Sequence, residues 1–103
     1  MKLDHIALCV DNIDSAVEWY KDNLSAIVDY SDDTWAMMNV HGSKVALVLN
    51  DMHPPHIAFS LGESTCFSNE TEVKQHRDGS HYVYLNDPFG NTIEIIKYND
   101  QED

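Results

Sequence analysis

The sequence predicts an α+β fold built from two copies of one module, and three observations carry that reading. The tetrapeptide His5-Ile6-Ala7-Leu8 returns 51 positions later as His56-Ile57-Ala58-Phe59. The run from Asn39 to Val48 aligns with that from Asp87 to Ile96, glycine on glycine, at an offset of 48. The apolar pattern between these landmarks alternates strand periods with a single clear helical period. At 103 residues the chain is large enough for one core and too small for two independent ones, so modules 1–51 and 52–98 should build a single domain.

The first module reads β-α-β-β-β. Lys2 to Val10 alternates as a strand, with Leu3, His5, Ala7 and Cys9 on one face and Ile6, Leu8 and Val10 on the other. A helix covering the second face is expected from Ile13 to Leu24, where Ile13, Ala16, Val17, Tyr20 and Leu24 recur at helical spacing behind a capping Asp11 or Asn12. Strands follow near 26–31, 34–40 and 44–50, interrupted at Ser31-Asp32-Asp33 and His41-Gly42-Ser43. The prolines of Met52-His53-Pro54-Pro55 end the ladder and mark the module boundary.

The second module should open with a strand from His56 to Leu61 that repeats the parity of the first. Its helix is reduced, because residues 62–70 are few and rich in Ser, Thr and Asn, so a turn or loop is expected there. Strands near 71–77, 80–86 and 91–98 complete it, the last two joined through Asp87-Pro88-Phe89-Gly90, where proline presets φ and glycine supplies a positive one. Residues 99–103 read as an acidic tail.

A formal charge of -12 and only 6 Lys and Arg argue against a nucleic-acid partner, since phosphate binding draws on clustered cations. No apolar run approaches the roughly 18 residues of a membrane span and the N-terminus lacks signal-peptide zones, so a cytoplasmic location is expected. Cys9 and Cys66 form no disulfide framework and no CxxC pair; Cys9 reads as a buried free thiol.

The chemistry is expected at His5, His56 and Glu94. Two histidines on equivalent strands and one carboxylate on a third are the residue types of a facial site that leaves roughly three positions for water and substrate. Such ligands accept Fe, Zn, Ni, Co or Mn. Ala7 and Ala58, two positions after each histidine, would leave room above the ion. His41, His53, His76 and His81 read as turn or exposed strand residues, with His53 and His56 across Pro54-Pro55 a weaker competing pair.

Taken together, Asp4-His5-Ile6-Ala7-Leu8-Cys9-Val10, Trp19-Tyr20-Lys21-Asp22 before Leu24, the second His56-Ile57-Ala58-Phe59, and Asp87-Pro88-Phe89-Gly90-Asn91-Thr92-Ile93-Glu94 resemble the vicinal oxygen chelate superfamily. That group includes glyoxalase I, extradiol dioxygenases, methylmalonyl-CoA epimerase, fosfomycin thiol transferases and bleomycin-resistance proteins. The resemblance implies paired βαβββ modules curling as a mixed sheet around one divalent metal, with His5, His56 and Glu94 on the ligand positions. Ala46 falls where glyoxalase I enzymes add a fourth ligand, which speaks against the standard glyoxalase reaction. The run Glu72 to Tyr84 is similar to fosfomycin transferases and places Lys74 and Tyr84 at substrate contacts, while Ala7 stands in place of a threonine and the chain ends before a later arginine of those enzymes.

The resemblance also implies a homodimer in which His5 meets the partner's His56 and Glu94. The expected function is therefore a small metalloenzyme of lyase, thiol transferase or dioxygenase type acting on a small oxygen-chelating substrate. The alternative is a metal-free sequestering protein of the bleomycin-resistance type, with Trp19, Trp35, Tyr82 and Tyr84 available to an aromatic cation.

Overall fold

The computed structural model of the protein describes residues 1–62, 73–76 and 79–98. The elements are β1 (Lys2–Val10), α1 (Ile13–Leu24), β2 (Ile27–Ser31), β3 (Trp35–Val40), β4 (Ser43–Leu49), β5 (His56–Ser60), β6 (Lys74–Gln75), β7 (His81–Asn86) and β8 (Thr92–Lys97). Their strands form one mixed sheet in the order β2-β3-β4-β1-β5-β8-β7-β6. Contacts divide the chain into two units, His5–His56 and Met1–Asp4 with the chain from Ile57 onward.

In the His5–His56 unit, β3 pairs antiparallel with both β2 and β4, and β4 pairs in parallel with β1. Parallel pairing needs a crossover, and α1 with β2 and β3 lies in that connection. Asn12 starts the helix: its Oδ1 accepts the Ser15 N–H at 2.8 Å. Ser25 ends it in the left-handed region at φ 55°, donating its N–H to the Lys21 carbonyl. His41 also takes a positive φ, 52°, and its ring Nε2 donates to the Leu24 carbonyl at 2.8 Å, tying the β3–β4 turn to the helix end.

The core of this unit is Ile13, Val17, Ala26, Ala36, Met38 and Leu47, with Val10, Ala16, Tyr20 and Val45 packed against it. The register explains which residues are chosen. Ile6, Leu8 and Val10 lie opposite Val45, Leu47 and Leu49, on the helix side, while Ala7 and Cys9 lie opposite Ala46 and Val48 on the other face. The expected sides of β1 are therefore the observed ones, but Ile6 and Leu8 stay 38% and 37% exposed. A helix is about 10–12 Å wide with its side chains and strands lie about 4.8 Å apart, so one helix covers two or three strands. Here it packs on β2, β3 and β4 and reaches β1 at Val10.

In the other unit, β7 pairs antiparallel with β8 and with the short β6. Leu61 donates its N–H to Ile96, and the Tyr98 hydroxyl reaches the Asp4 carboxylate at 2.7 Å. The β7–β8 turn is an Asp87 structure. Its Oδ1 accepts the N–H groups of Phe89 and Asn91, which holds the carboxyl below its ordinary range together with the Asn91 side-chain amide, the largest cause. Gly90 takes the expected positive φ, 89°.

The expected strand 71–77 is observed only as Lys74–Gln75; residues 71, 72 and 77, most of the 62–70 connection, Cys66 and the acidic tail lie outside the described residues. Among the described residues α1 is the one helix, and no helix is long and apolar enough to cross a membrane.

Two substitutions test this packing by urea denaturation. Leu47→Ala, at a fully buried position, is expected to lose about 3 kcal/mol. Ser25→Gly should gain about 1 kcal/mol by relieving the left-handed backbone of an exposed residue, and no gain there would contradict the cap geometry.

Candidate metal centre

β1 and β5 each begin the site with a histidine. His5 lies on the β1 face that carries Ala7, 1% exposed, and His56 opens β5 two residues before Ala58, 0% exposed. The two rings meet edge to face with centroids 5.7 Å apart. His56 is fixed by the turn before it: its Nδ1 lies 2.7 Å from the Pro54 carbonyl oxygen. A carbonyl can only accept, so Nδ1 carries the proton, and in the neutral ring Nε2 holds the lone pair. That is the usual way in which a ligand imidazole is oriented for a metal.

Glu94 comes from β8. Alternation places Thr92, Glu94 and Ile96 on one face, and that face is the buried one, with Glu94 2% exposed. A carboxylate taken so far from water requires donors or a cation. Its Oε2 lies 2.8 Å from Nε2 of His76. His5, His56 and Glu94 each offer one ligand atom, and these atoms lie within 4.8 Å of one another. The chemistry of these donors, two imidazole nitrogens and a carboxylate oxygen, is that of ligands to a divalent cation. Two imidazoles and one carboxylate are a chemistry for Zn, Ni, Co, Mn or Fe rather than for the oxygen-loving Mg or Ca.

Ala46, on the strand beside β1 and opposite Ala7, is 4% exposed and brings no donor. His53 stands outside the three-residue group, and its carbonyl accepts the Cys9 thiol at 3.4 Å. Cys9 is thus a partly buried free thiol with a hydrogen-bond partner.

Lys74 and Tyr84 occupy the same face of the β6–β7–β8 ladder as Glu94. Lys74 pairs with Tyr82, and Tyr84 pairs with Glu94. Lys74 is exposed and Tyr84 partly buried. Burial first, then the Glu94 charge and then Tyr82 push the Tyr84 phenol well above its ordinary range, so it remains a donor throughout physiological pH.

His76, expected to be a turn or exposed strand residue, is instead the partner of Glu94, with its side chain 31% exposed. Its ring stacks on Tyr82 at 3.7 Å and 9°. The signal in the sequence was parity, since His76 lies two positions after Lys74 and therefore on the same face.

A mixed sheet with one helix on its first half and a His-His-Glu donor group defines a glyoxalase-like protein with a candidate metal centre. The chain belongs to the Glyoxalase/Bleomycin resistance protein/Dioxygenase superfamily, whose sequence profile matches residues 2–71. Among solved structures it is similar to methylmalonyl-CoA epimerase from Mycobacterium tuberculosis, at 20% identity and a TM-score of 0.70, covering 98% of this chain and 90% of that one. A glyoxalase/bleomycin resistance protein/dioxygenase superfamily member from Vibrio splendidus 12B01 gives 15% identity and a TM-score of 0.70, over 94% of this chain and 100% of that one. A structure described as an NAD-dependent benzaldehyde dehydrogenase from Legionella pneumophila gives 19% identity and a TM-score of 0.65, over 91% and 97%. At these identities the likeness is one of fold. No curated protein matches the chain by sequence.

The elevated phenol has a spectroscopic consequence. Below about pH 10 Tyr84 is protonated in both folded and unfolded chains; above it the unfolded chain ionises first, so stability is lost as pH rises toward the folded value. In the native protein, replacing one of the 5 tyrosines by Tyr84→Phe should leave the 295 nm tyrosinate signal gained between about pH 9 and 11 unchanged. A loss of one tyrosine's amplitude would contradict the burial of the hydroxyl.

Proposed function

We propose that the protein is a small metalloenzyme that holds one divalent metal through His5, His56 and Glu94 and acts on a small oxygen-chelating substrate. The observation that carries this reading is the convergence of two imidazoles and one buried carboxylate within 4.8 Å. A bound divalent ion supplies Lewis-acid stabilisation of negative charge on substrate oxygens. The protein's own residues then orient and hold. His56 presents Nε2 because Nδ1–H is committed to Pro54. Tyr84 offers an O–H that does not ionise, and Lys74 on the same face offers an ammonium; both suit an anionic substrate oxygen.

The apolar Ala46 at the expected fourth-ligand place supports a three-ligand centre over the standard glyoxalase arrangement. Within that class, thiol transfer to a phosphonate, dioxygenation and lyase chemistry each use a substrate that binds through oxygens, and Lys74 with Tyr84 favours the anionic phosphonate type. A homodimer and a cytoplasmic location belong to the same proposal. In that homodimer the sites are shared between the subunits.

Elemental analysis of untagged protein tests the reading. Near-stoichiometric metal is expected in the wild type and loss of it in His5→Ala and Glu94→Ala, each checked for folding by circular dichroism. Wild-type protein that takes up no Mn, Co, Ni, Zn or anaerobic Fe would leave the metal-free sequestering protein as the better description.

A further inference from the structure

On the sheet face away from α1, the His5–His56 unit carries three rows of side chains held in register across its strands. Trp35 lies opposite Val48, and Val48 opposite Cys9. Tyr30, Met37, Ala46 and Ala7 follow one another across β2, β3, β4 and β1. In the third row Asn39 lies opposite Lys44, and because Ile6 pairs with Val45, the same register sets His5 beside Lys44. From these rows we infer a subsite for a planar aromatic acid, with its ring on the alanine row and its carboxylate toward Lys44.

The middle row descends from tall side chains to methyl groups. Ala7 and Ala46 are 1% and 4% exposed, while Met37 and Trp35 stay partly exposed and Tyr30 exposed. Two methyl groups on adjacent strands make a flat apolar bed, which suits a flat ring. Beside it Tyr30 and Trp35 meet with ring centroids 5.0 Å apart and planes at 33°, an aromatic wall that favours another ring. The wall is fixed by its turn. The Tyr30 hydroxyl donates to Oδ2 of Asp32 at 2.6 Å, and Oδ1 accepts the N–H groups of Thr34 and Trp35.

Charge gives the ligand its direction. The hairpin that bears the wall contains Asp29, Asp32 and Asp33 and no Lys or Arg. The Tyr30 hydroxyl above all, and then Thr34, hold the Asp32 carboxyl well below its ordinary range, so this end stays negative. Lys44 stands toward the other end, extending from a turn in which Oδ1 of Asn39 accepts the Gly42 N–H at 2.7 Å. Lys21, the other lysine of this unit, is on α1 and lies 3.5 Å from Glu18, whereas Lys44 is exposed and has no ion-pair partner among the described residues. A carboxylate is therefore repelled from the wall and drawn to Lys44. Successive rows on one face lie about 7 Å apart along the strand, roughly the span from the centre of a benzene ring to an ammonium paired with its carboxylate.

The subsite does not depend on a metal, so the full chain is tested metal-free with 4-methylbenzoate and with 4-methylbenzamide, an uncharged probe of the same shape. A Trp19→Phe background leaves Trp35 as the one tryptophan, whose fluorescence follows the titration. The acid should bind with a change in Trp35 emission. Lys44→Ala should weaken it about 2- to 5-fold and Lys44→Arg should retain it, while the amide should bind the parent chain no better than the acid binds Lys44→Ala. Calorimetry on Trp35→Leu, checked for folding by circular dichroism, should show about 2- to 10-fold weaker binding of the acid. The exposed Lys44 keeps the test independent of whether Trp35→Leu folds. No binding of the acid, equal affinity for acid and amide, or unchanged affinity in Lys44→Ala or in folded Trp35→Leu overturns the subsite, and each leaves the metal-site reading as it stands.

Discussion

A carboxylate that is 2% exposed is the constraint on which the rest of the site depends. An isolated charge at that depth is too costly to survive folding, so Glu94 requires neighbours that donate hydrogen bonds or carry positive charge. His76 is one such neighbour. The strand pattern follows from the same requirement. On β8 it is Glu94 and Ile96, not the more apolar Ile93 and Ile95, that are buried, because the face carrying the carboxylate is the one turned away from water. Burying an acid is tolerable where a metal is to be bound, since the same desolvation that penalises the empty carboxylate strengthens its attraction for an ion.

Local periodicity made most of the fold legible. β1 and α1 follow from alternation and from helical spacing behind Asn12, and both were expected over the residues where they are found. The turns at His41-Gly42 and Asp87-Gly90 follow from the residues that tolerate positive φ. What could not be read was the extent of cover. Nothing in Ile6 or Leu8 distinguishes them from Val10, and their exposure is decided by the width of one helix laid over three strands, a property of packing rather than of sequence.

The three proposed donors stand out in the sequence for a different reason. His5 and His56 announce themselves by recurring at the head of two similar segments, and Glu94 by standing inside the last apolar strand. His76 carried no such mark. Its role depends on where the β6–β7 turn delivers a ring, and six histidines in 103 residues offer many candidates for one such contact. Ala7 and Ala58, two positions after the histidines, were expected as space for a ligand and Ala46 as the place of an absent fourth ligand, and all three are buried on their strands.

The carbonyl that orients His56 belongs to a proline, followed by a second proline. Neither residue can donate to a strand, and both have φ fixed, so the turn that aims the imidazole has few alternative shapes to visit. The rotational freedom of that ring is surrendered when the chain folds rather than when an ion arrives. For an ion held as proposed, capture at His56 would then be limited by how fast the ion sheds water instead of by a search through side-chain orientations, and slow-exchanging Ni2+ would load far more slowly than Zn2+ even where it binds as tightly.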